Sequence, residues 1–150
     1  MHPIITLTDA PTDEAVKAIG THLNRFNELR AGRERDYRPL AILLTEPVTN
    51  EVLGGLWGWT SFSVLFTDLL FIPDTMRGQG LGTRLLAQAE QEAIARGCHT
   101  AWLDTFSFQA PDYYQRHGYA VFGSIPDYPP GHTRFFLKKQ LQPTAPTPNP

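Results

Sequence analysis

The segment from Arg77 to Gly82 constrains this chain more than any other. It carries three glycines in five residues and lies between an apolar run, Leu69 to Ile72, and an amphipathic stretch, Thr83 to Arg96. The run predicts a buried strand, and the stretch predicts a helix. Glycines let the backbone turn sharply and approach a ligand closely, because they carry no Cβ. The free N–H groups that open the helix, together with Arg77, favour an anion, so the sequence predicts a phosphate-binding loop.

Two common kinds of phosphate loop do not match this segment. A nucleoside-triphosphate loop needs Lys and then Ser or Thr after its last glycine, whereas Gly82 is followed by Thr83 and an arginine. A dinucleotide-binding loop needs Gly-x-Gly-x-x-Gly/Ala. Counting from Gly78 puts Thr83 in the last place, and counting from Gly80 puts Leu85 there, so both registers fail.

A third pattern, Arg/Gln-x-x-Gly-x-Gly/Ala, is matched by Arg77, Gly80 and Gly82. It is the pyrophosphate-binding pattern of the GNAT superfamily of N-acetyltransferases, which this chain resembles. A later segment, Tyr113 to Tyr119, is similar to a second motif of that family, in which a tyrosine, here Tyr114, stands four residues before a glycine–aromatic pair. The resemblance covers roughly residues 52–141, and the segments 104–111 and 127–132 resemble a bacterial subgroup described only as acetyltransferases.

The resemblance implies the fold and the ligand. The fold is of the α/β (α+β mixed sheet) class, the GNAT acyl-CoA N-acyltransferase fold, with a central mixed β-sheet flanked by helices. The implied donor is acetyl-CoA, whose pantetheine arm pairs with two strands that splay apart. The acetyl group passes directly, in a ternary complex, to a primary amine of a small molecule or protein. The positions that the resemblance assigns to the cofactor are Leu70, Phe71, Ile72, Arg77, Gly78, Gln79, Gly80, Leu81, Gly82, Thr83, Ser107 and Tyr114.

Catalytic roles follow from the same resemblance. Tyr114 stands at the position that protonates or hydrogen-bonds the departing thiolate. A strand N–H near Phe71 is the family's donor to the thioester oxygen. Asp68, on the strand that leads to the loop, is the candidate general base, and Asp104 at the end of the neighbouring strand competes with it. Ser107 occupies a cofactor position where the family often has asparagine.

The hydrophobic pattern predicts the order of the elements. We expect a strand at 4–7, a helix from Pro11 and Thr12, and a short helix or loop at 27–38. Strands at 40–44, 52–60 and 64–72 should form an antiparallel meander. After the glycine-loop helix, which Gly97 should end, a strand at 100–104 should run parallel to 64–72. Strands at 119–122 and 133–138 should flank a proline-rich loop, 125–131. Residues 1–141 are expected to form one domain, and 142–150 a disordered proline-rich tail.

Composition narrows the function further. A hydrophobic content of 41%, a charged content of 19% and a net charge of −2 are typical of a folded domain that binds neither nucleic acid nor a membrane. A single cysteine, Cys98, excludes an internal disulfide and favours a cytoplasmic location. The five histidines show no metal-ligand spacing, so no metal is expected.

The sequence leaves open the roles of some aromatic and loop residues, and it is compatible with other functions. Trp57 and Trp59 share one strand face and suit a core or dimer contact better than an acceptor pocket. A homodimer through exposed sheet edges or through that strand is expected. The loop 127–132 either walls the acceptor site or covers an apolar sheet edge. Tyr113, His117 and His132 are taken as packing or structural residues. Two other functions compete: a CoA-binding sensor or scaffold without turnover, and a dinucleotide-type binding protein.

Overall fold

A computed structural model of the protein describes residues 1–143 and divides into two compact units, Met1–Arg35 and the residues from Asp36 onward. The expectation that residues 1–141 behave as one domain stays a prediction. Most of the proline-rich tail expected from Gln142, namely residues 144–150, lies outside the described residues.

The first unit contains one helix, α1 (Asp13–Ala31). Thr12 caps its N-terminus by accepting a hydrogen bond from the Ala15 N–H at 3.2 Å, and Gly32 ends it with a left-handed backbone. The prediction of a separate short helix or loop at 27–38 is wrong for its first residues. The helix α1 continues through them and ends only at Ala31. The sequence between Asn27 and Ala31 contains no glycine or proline that would break the helix.

The strand predicted at 4–7 is also wrong. Residues 1–8 carry no regular structure, and Ile4, Ile5 and Leu7 have exposed side chains. A short apolar run forms a strand only where another strand accepts its hydrogen bonds, and none does so within the described residues.

The second unit is built on a six-stranded mixed sheet, which confirms the predicted fold class. The strands lie side by side in the order β1-β2-β3-β4-β6-β5. Only β3 and β4 pair in parallel, and all other neighbours are antiparallel, as the meander and the crossover predicted. Their bounds are β1 (Arg38–Thr45), β2 (Val52–Ser61), β3 (Val64–Phe71), β4 (Thr100–Phe106), β5 (Ala120–Pro126) and β6 (Thr133–Gln140).

The helix α2 (Leu81–Ala95) connects β3 to β4 and covers one face of the sheet. One face of this helix is apolar: Leu81 is partly buried, and Leu85, Leu86, Ala89 and Ala93 are buried. The four buried residues pack into one core with the inward side chains of the strands, including Leu56, Leu65, Leu103 and Leu137.

The end of α2 is held to the sheet by Arg96. Its guanidinium pairs with Glu92, four residues earlier, at 2.8 Å and also donates to the carbonyls of Arg38 and Pro39. Gly97 follows with a left-handed backbone and turns the chain toward β4.

The connection between the last two strands is shorter than predicted. Ile125 and Pro126 pair with Arg134 and Thr133, so β5 continues past the expected end and the loop begins at Asp127. Proline is tolerated in β5 because this strand lies at the sheet edge. In the part of the chain that the structure describes, no helix is both long and apolar enough to span a membrane.

Candidate active site

Strands β3 and β4 diverge in the middle of the sheet. Their parallel pairing runs only from Val64 with Thr100 to Thr67 with Leu103. Beyond that point β3 stays paired with β2, and β4 stays paired with β6. The two strands therefore present backbone groups to each other across a cleft, and Leu70 to Ile72 line its β3 side.

A bulge in β3 marks the start of the divergence. Trp57 pairs with Leu69 and Gly58 pairs with Thr67, so Asp68 is an extra residue without a partner on β2. Asp68 and Leu69 are consequently both exposed, although neighbouring side chains of a regular strand point to opposite faces of the sheet. At the last paired position the Thr67 hydroxyl is buried and has no hydrogen-bond partner within the described residues. The last paired position before the strands diverge thus holds a buried polar atom whose hydrogen-bonding capacity is unused within the described residues.

The glycine loop, Arg77–Gly82, connects the cleft to α2. The Arg77 N–H donates to the Asp74 carbonyl at 3.3 Å, and the next N–H with a backbone acceptor is that of Arg84, which donates to the Gly80 carbonyl at 3.1 Å. Between Gly78 and Thr83, no backbone N–H has an acceptor among the residues described. Six consecutive N–H groups without an acceptor, at the turn that leads into a helix, are the kind of backbone donors that an anion can bind.

The three glycines have two different roles. Gly78 and Gly80 have positive φ angles of 77° and 72°, and an added Cβ at either would meet no described atom within 4 Å. They shape the turn and leave open space for a ligand. At Gly82 an added Cβ would lie 2.7 Å from the Tyr113 hydroxyl. A larger residue at this position would therefore have to displace the Tyr113 side chain.

Arg77 ties the loop to the strand before it. Its Nε donates to the Ile72 carbonyl at 3.1 Å, and its Nη1 lies 2.7 Å from the Asp74 carboxylate. The side chain is 61% exposed, so this ion pair is solvated and weak. Arg77 therefore anchors the glycine loop to the residues that follow β3.

Thr83, at the end of the glycine loop, contacts the helix α3 (Pro111–Arg116) and its C-cap residue. Its Oγ1 lies 2.9 Å from Nε2 of His117 and 3.4 Å from the Tyr113 hydroxyl. Nδ1 of His117 lies 2.7 Å from the Tyr113 carbonyl. Sequence reasoning assigned Tyr113 and His117 to packing, because partners 30 and 34 residues away leave no local pattern.

Tyr114, one residue further along α3, lies in the core. Its side chain is only 9% exposed, and it packs edge-on against Tyr113 and Tyr119. Burial, with smaller contributions from Tyr113 and Asp104, raises the pKa of Tyr114 to about 12. Because of this raised pKa, the hydroxyl stays protonated near neutral pH. It has no hydrogen-bond partner in the described part of the chain, so its hydrogen is available to donate.

Asp104, on β4 beyond the last position paired with β3, is held in an ion pair with Arg134 of β6. Nε of Arg134 donates to the carboxylate at 2.9 Å, and its Nη1 donates to the Tyr128 hydroxyl at 2.9 Å. The guanidinium also lies over the rings of Phe106 and Tyr128, at 5.2 and 5.1 Å from their centres. Burial by itself would lower the pKa of Arg134, but its hydrogen bond and charge interaction with Asp104, with a contribution from Tyr128, outweigh this and raise that pKa. Tyr128 thus brings the loop 127–132 to the diverging end of β4, a contact that the sequence did not reveal.

Ser107 is used within the protein. Its hydroxyl accepts a hydrogen bond from the Thr133 N–H at 3.0 Å, and its own N–H donates to the Thr133 carbonyl at 2.8 Å. These bonds hold the end of β4 to the start of β6. The predicted cofactor contact of Ser107 stays a prediction.

Two other kinds of site find no support in the geometry. Cys98 is buried, and burial raises the pKa of its thiol, which opposes a role as nucleophile. Within residues 1–143, no three His, Cys, Asp or Glu side chains are grouped so that they could hold a metal ion.

Comparison with known proteins bears on the same region. A family model described as "Acetyltransferase (GNAT) family" matches residues 8–119. The chain is 41% identical over 135 residues to acetyltransferase Atu2258 of Agrobacterium fabrum, covering 90% of this chain and 97% of that protein. It is 43% identical over 116 residues to blasticidin-S acetyltransferase of Streptomyces morookaense, covering 75% of this chain and 85% of the relative.

Solved structures agree with this assignment. A crystal structure described as a candidate acetyltransferase from Agrobacterium tumefaciens superposes with a TM-score of 0.86 at 40% identity, covering 92% of this chain and 99% of the other. An aminoglycoside 6'-N-acetyltransferase complexed with coenzyme A shares the fold, with a TM-score of 0.59 at 15% identity, covering 90% and 84%.

Proposed function

Since the chain belongs to the acetyltransferase (GNAT) family, we propose that it transfers an acetyl group from acetyl-CoA to a primary amine of a small molecule or protein, directly within a ternary complex. One observation carries the proposal. Six free N–H groups at the start of α2 lie beside a cleft between two diverging strands, and a protonated, buried tyrosine belongs to the helix that contacts the same loop.

The residues present fit acetyl-CoA. The free N–H groups from Gly78 to Thr83 suit its diphosphate, and the open space at Gly78 and Gly80 admits it closely. The unpaired backbone edge of β3 suits the amides of the pantetheine arm, which bond as a peptide strand does. The unpartnered Thr67 hydroxyl adds a polar group where the strands diverge. When bound, acetyl-CoA supplies the activated acyl group.

The acceptor must attack as a free amine. An alkylamine with a pKa of ~10 is mostly protonated near pH 7, so a proton has to leave before or during attack. The carboxylate of Asp104 is held in an ion pair by Arg134, whereas Asp68 is exposed at the bulge and has no ion pair among the described residues. We therefore keep Asp68 as the candidate base, acting through solvent at the cleft.

Tyr114 is the candidate donor to the leaving group. As the amine nitrogen bonds to the carbonyl carbon, the C–S bond breaks and its electron pair goes to sulfur. A thiol of pKa ~8.5 is a stronger acid than a phenol whose pKa is about 12. Complete proton transfer from Tyr114 to the thiolate is therefore uphill. We propose that Tyr114 stabilises the developing charge chiefly by donating a hydrogen bond.

The best-supported test acceptor comes from a relative. The blasticidin-S acetyltransferase matches this chain over three quarters of its length at 43% identity. We propose an amine-bearing antibiotic of that kind as a first acceptor to try.

The experiment measures free thiol released from acetyl-CoA with a panel of amines that includes blasticidin S, and mass spectrometry identifies the acetylated product. Acceptor-dependent thiol release with an acetylated product supports the proposal. A protein that binds acetyl-CoA and releases no thiol with any amine would favour the alternative, a CoA-binding sensor or scaffold. The observation behind that alternative is that neither Asp68 nor Asp104 contacts Tyr114 through a hydrogen bond.

A further inference from the structure

The contact between Thr83 and His117 constrains where their hydrogens lie. A backbone carbonyl only accepts hydrogen bonds, so Nδ1 of His117, 2.7 Å from the Tyr113 carbonyl, must carry a hydrogen. In the neutral imidazole, Nε2 then carries no hydrogen and can only accept a hydrogen bond. The Thr83 hydroxyl, 2.9 Å away, is therefore the donor in that contact.

This arrangement conflicts with binding a diphosphate. Phosphate oxygens accept hydrogen bonds, and Thr83 belongs to the run of free N–H groups that face the anion. A threonine hydroxyl has a single hydrogen, and neutral His117 already takes it. If His117 gains a proton, its Nε2 becomes the donor, and the Thr83 hydrogen is released toward the phosphate.

A bound anion changes the charge around His117. Its ring lies 4.4 Å from that of Tyr113, and Arg116 precedes it in the chain. From β6, Lys139 lies near Gly118, the next residue, and pairs with Glu90 of α2 at 2.8 Å. On α2, Arg84 follows Thr83. A diphosphate at the glycine loop adds negative charge beside Thr83, and negative charge nearby favours the protonated form of a histidine.

We propose that His117 takes up a proton when the diphosphate of acetyl-CoA binds, so that Thr83 can donate to a phosphate oxygen while His117 donates to Thr83. His117 is in this sense a positioning residue for the phosphate site, acting through Thr83. The inference rests on the proposed use of acetyl-CoA. It adds that the affinity for the ligand rises as the pH falls through the range in which histidine titrates.

The test is isothermal titration calorimetry of the full chain with acetyl-CoA at neutral pH, in two buffers of different ionisation enthalpy. The buffer dependence of the heat counts the protons exchanged on binding. The ligand's own phosphates also exchange protons, so the informative quantity is the difference between the wild type and His117→Gln, in which the ligand contribution cancels. Glutamine keeps an amide near Thr83 but cannot titrate.

We expect the wild type to take up on the order of half a proton more than His117→Gln. Thr83→Val should remove the same uptake, since it deletes the hydroxyl and keeps the shape. His99→Gln is the matched control. Nδ1 of His99 also contacts a threonine hydroxyl, that of Thr100, at 2.8 Å. This contact lies at the start of β4, whereas β3 and β4 diverge toward the other end of β4. This control should behave as the wild type.

A second measurement follows the affinity with pH. The wild type should bind acetyl-CoA about fivefold more tightly at pH 6 than at pH 8, relative to His117→Gln over the same interval. Equal proton uptake and equal pH dependence in the wild type and His117→Gln would overturn the inference while leaving acetyl-CoA binding intact. Absence of binding by every variant and by the wild type would instead overturn the proposed function, and the inference with it.

Discussion

At the scale of single residues, Gly82 is explained by a side chain from another element. The Tyr113 hydroxyl occupies the space in which a Cβ would lie, at 2.7 Å. The loop pattern itself accepts glycine or alanine at this position. The choice of glycine in this chain therefore depends on Tyr113, and two paired substitutions can test that dependence.

We expect Gly82→Ala to weaken acetyl-CoA binding and to destabilise the fold by about 1–3 kcal/mol, because the new methyl group displaces Tyr113 and with it the N-terminus of α2. Tyr113→Phe removes the clashing oxygen, and the next nearest atom is then 3.4 Å away. The double variant should regain most of the lost stability in thermal melts. If it remains as unstable as Gly82→Ala, the clash is not the cause.

Tyr114→Phe tests the proposed role in catalysis. The ring and its packing remain, and only the hydroxyl is lost. We expect the turnover rate to fall roughly ten- to a thousandfold, because the hydrogen bond to sulfur matters most when charge has developed. The dissociation constant for acetyl-CoA, from titration, should change little. A Phe variant that turns over at the wild-type rate would remove Tyr114 from the mechanism and leave it as a core residue.

At the scale of elements, two acidic side chains of α2, one nearly buried and one half exposed, help to hold this helix to the rest of the unit. Glu90 accepts a hydrogen bond from the Tyr119 hydroxyl at 3.0 Å and pairs with Lys139 at 2.8 Å. Its side chain is 13% exposed, and burial together with Glu90 raises the pKa of Tyr119. Glu92, by contrast, is 48% exposed and shares Arg96 with two backbone carbonyls.

We expect Glu90→Gln to lower the free energy of unfolding by about 1–3 kcal/mol, because Lys139 loses its partner in a half-buried position. Glu92→Gln is the control and should cost less, since Arg96 keeps its bonds to the carbonyls of Arg38 and Pro39. Denaturant melts of both variants provide the comparison. Equal losses would mean that the depth of the Glu90 contact does not matter.

At the scale of the whole molecule, ligand binding should be visible as stability. Acetyl-CoA at ~100 times its dissociation constant should add ~2.7 kcal/mol, which is a few degrees of melting temperature for a domain of this size. NAD and ATP should have no effect. Gly80→Asp should abolish the shift, because it places a side chain and a negative charge in the open space of the loop. No shift with millimolar acetyl-CoA would contradict the proposed function.

The sheet leaves two outer strands, β1 and β5, through which a homodimer could form. We expect a dimer in solution, measured by light scattering. Leu43→Lys on β1 and Phe122→Lys on β5 place a charge on one edge each, at side chains that are 58% and 53% exposed. The variant that reverts to a monomer identifies the edge. A wild type that is monomeric at working concentration would contradict the prediction.

The sequence by itself determined the parts of this protein that depend on neighbouring residues. The glycine turn between a strand and a helix was predicted from its residues and is found there, and the apolar face of α2 and the Glu92–Arg96 pair likewise follow from short spacings along the helix. The meander and the parallel crossover follow from tight turns and from one intervening helix. Local geometry decides these features, because backbone preferences and hydrophobic period act within a turn or a strand.

Only the tertiary structure decided how distant residues combine in the site. The bulge at Asp68 depends on the register with β2, the Asp104–Arg134 pair joins residues 30 positions apart, and the Thr83–His117 contact spans 34. The predicted strand at 4–7 is absent for the same reason. Its apolar run suits a strand, but no other strand pairs with it within the described residues. Hydrogen bonds and ion pairs between remote segments depend on which strands and helices become neighbours, and no short-range pattern in a single sequence encodes that choice.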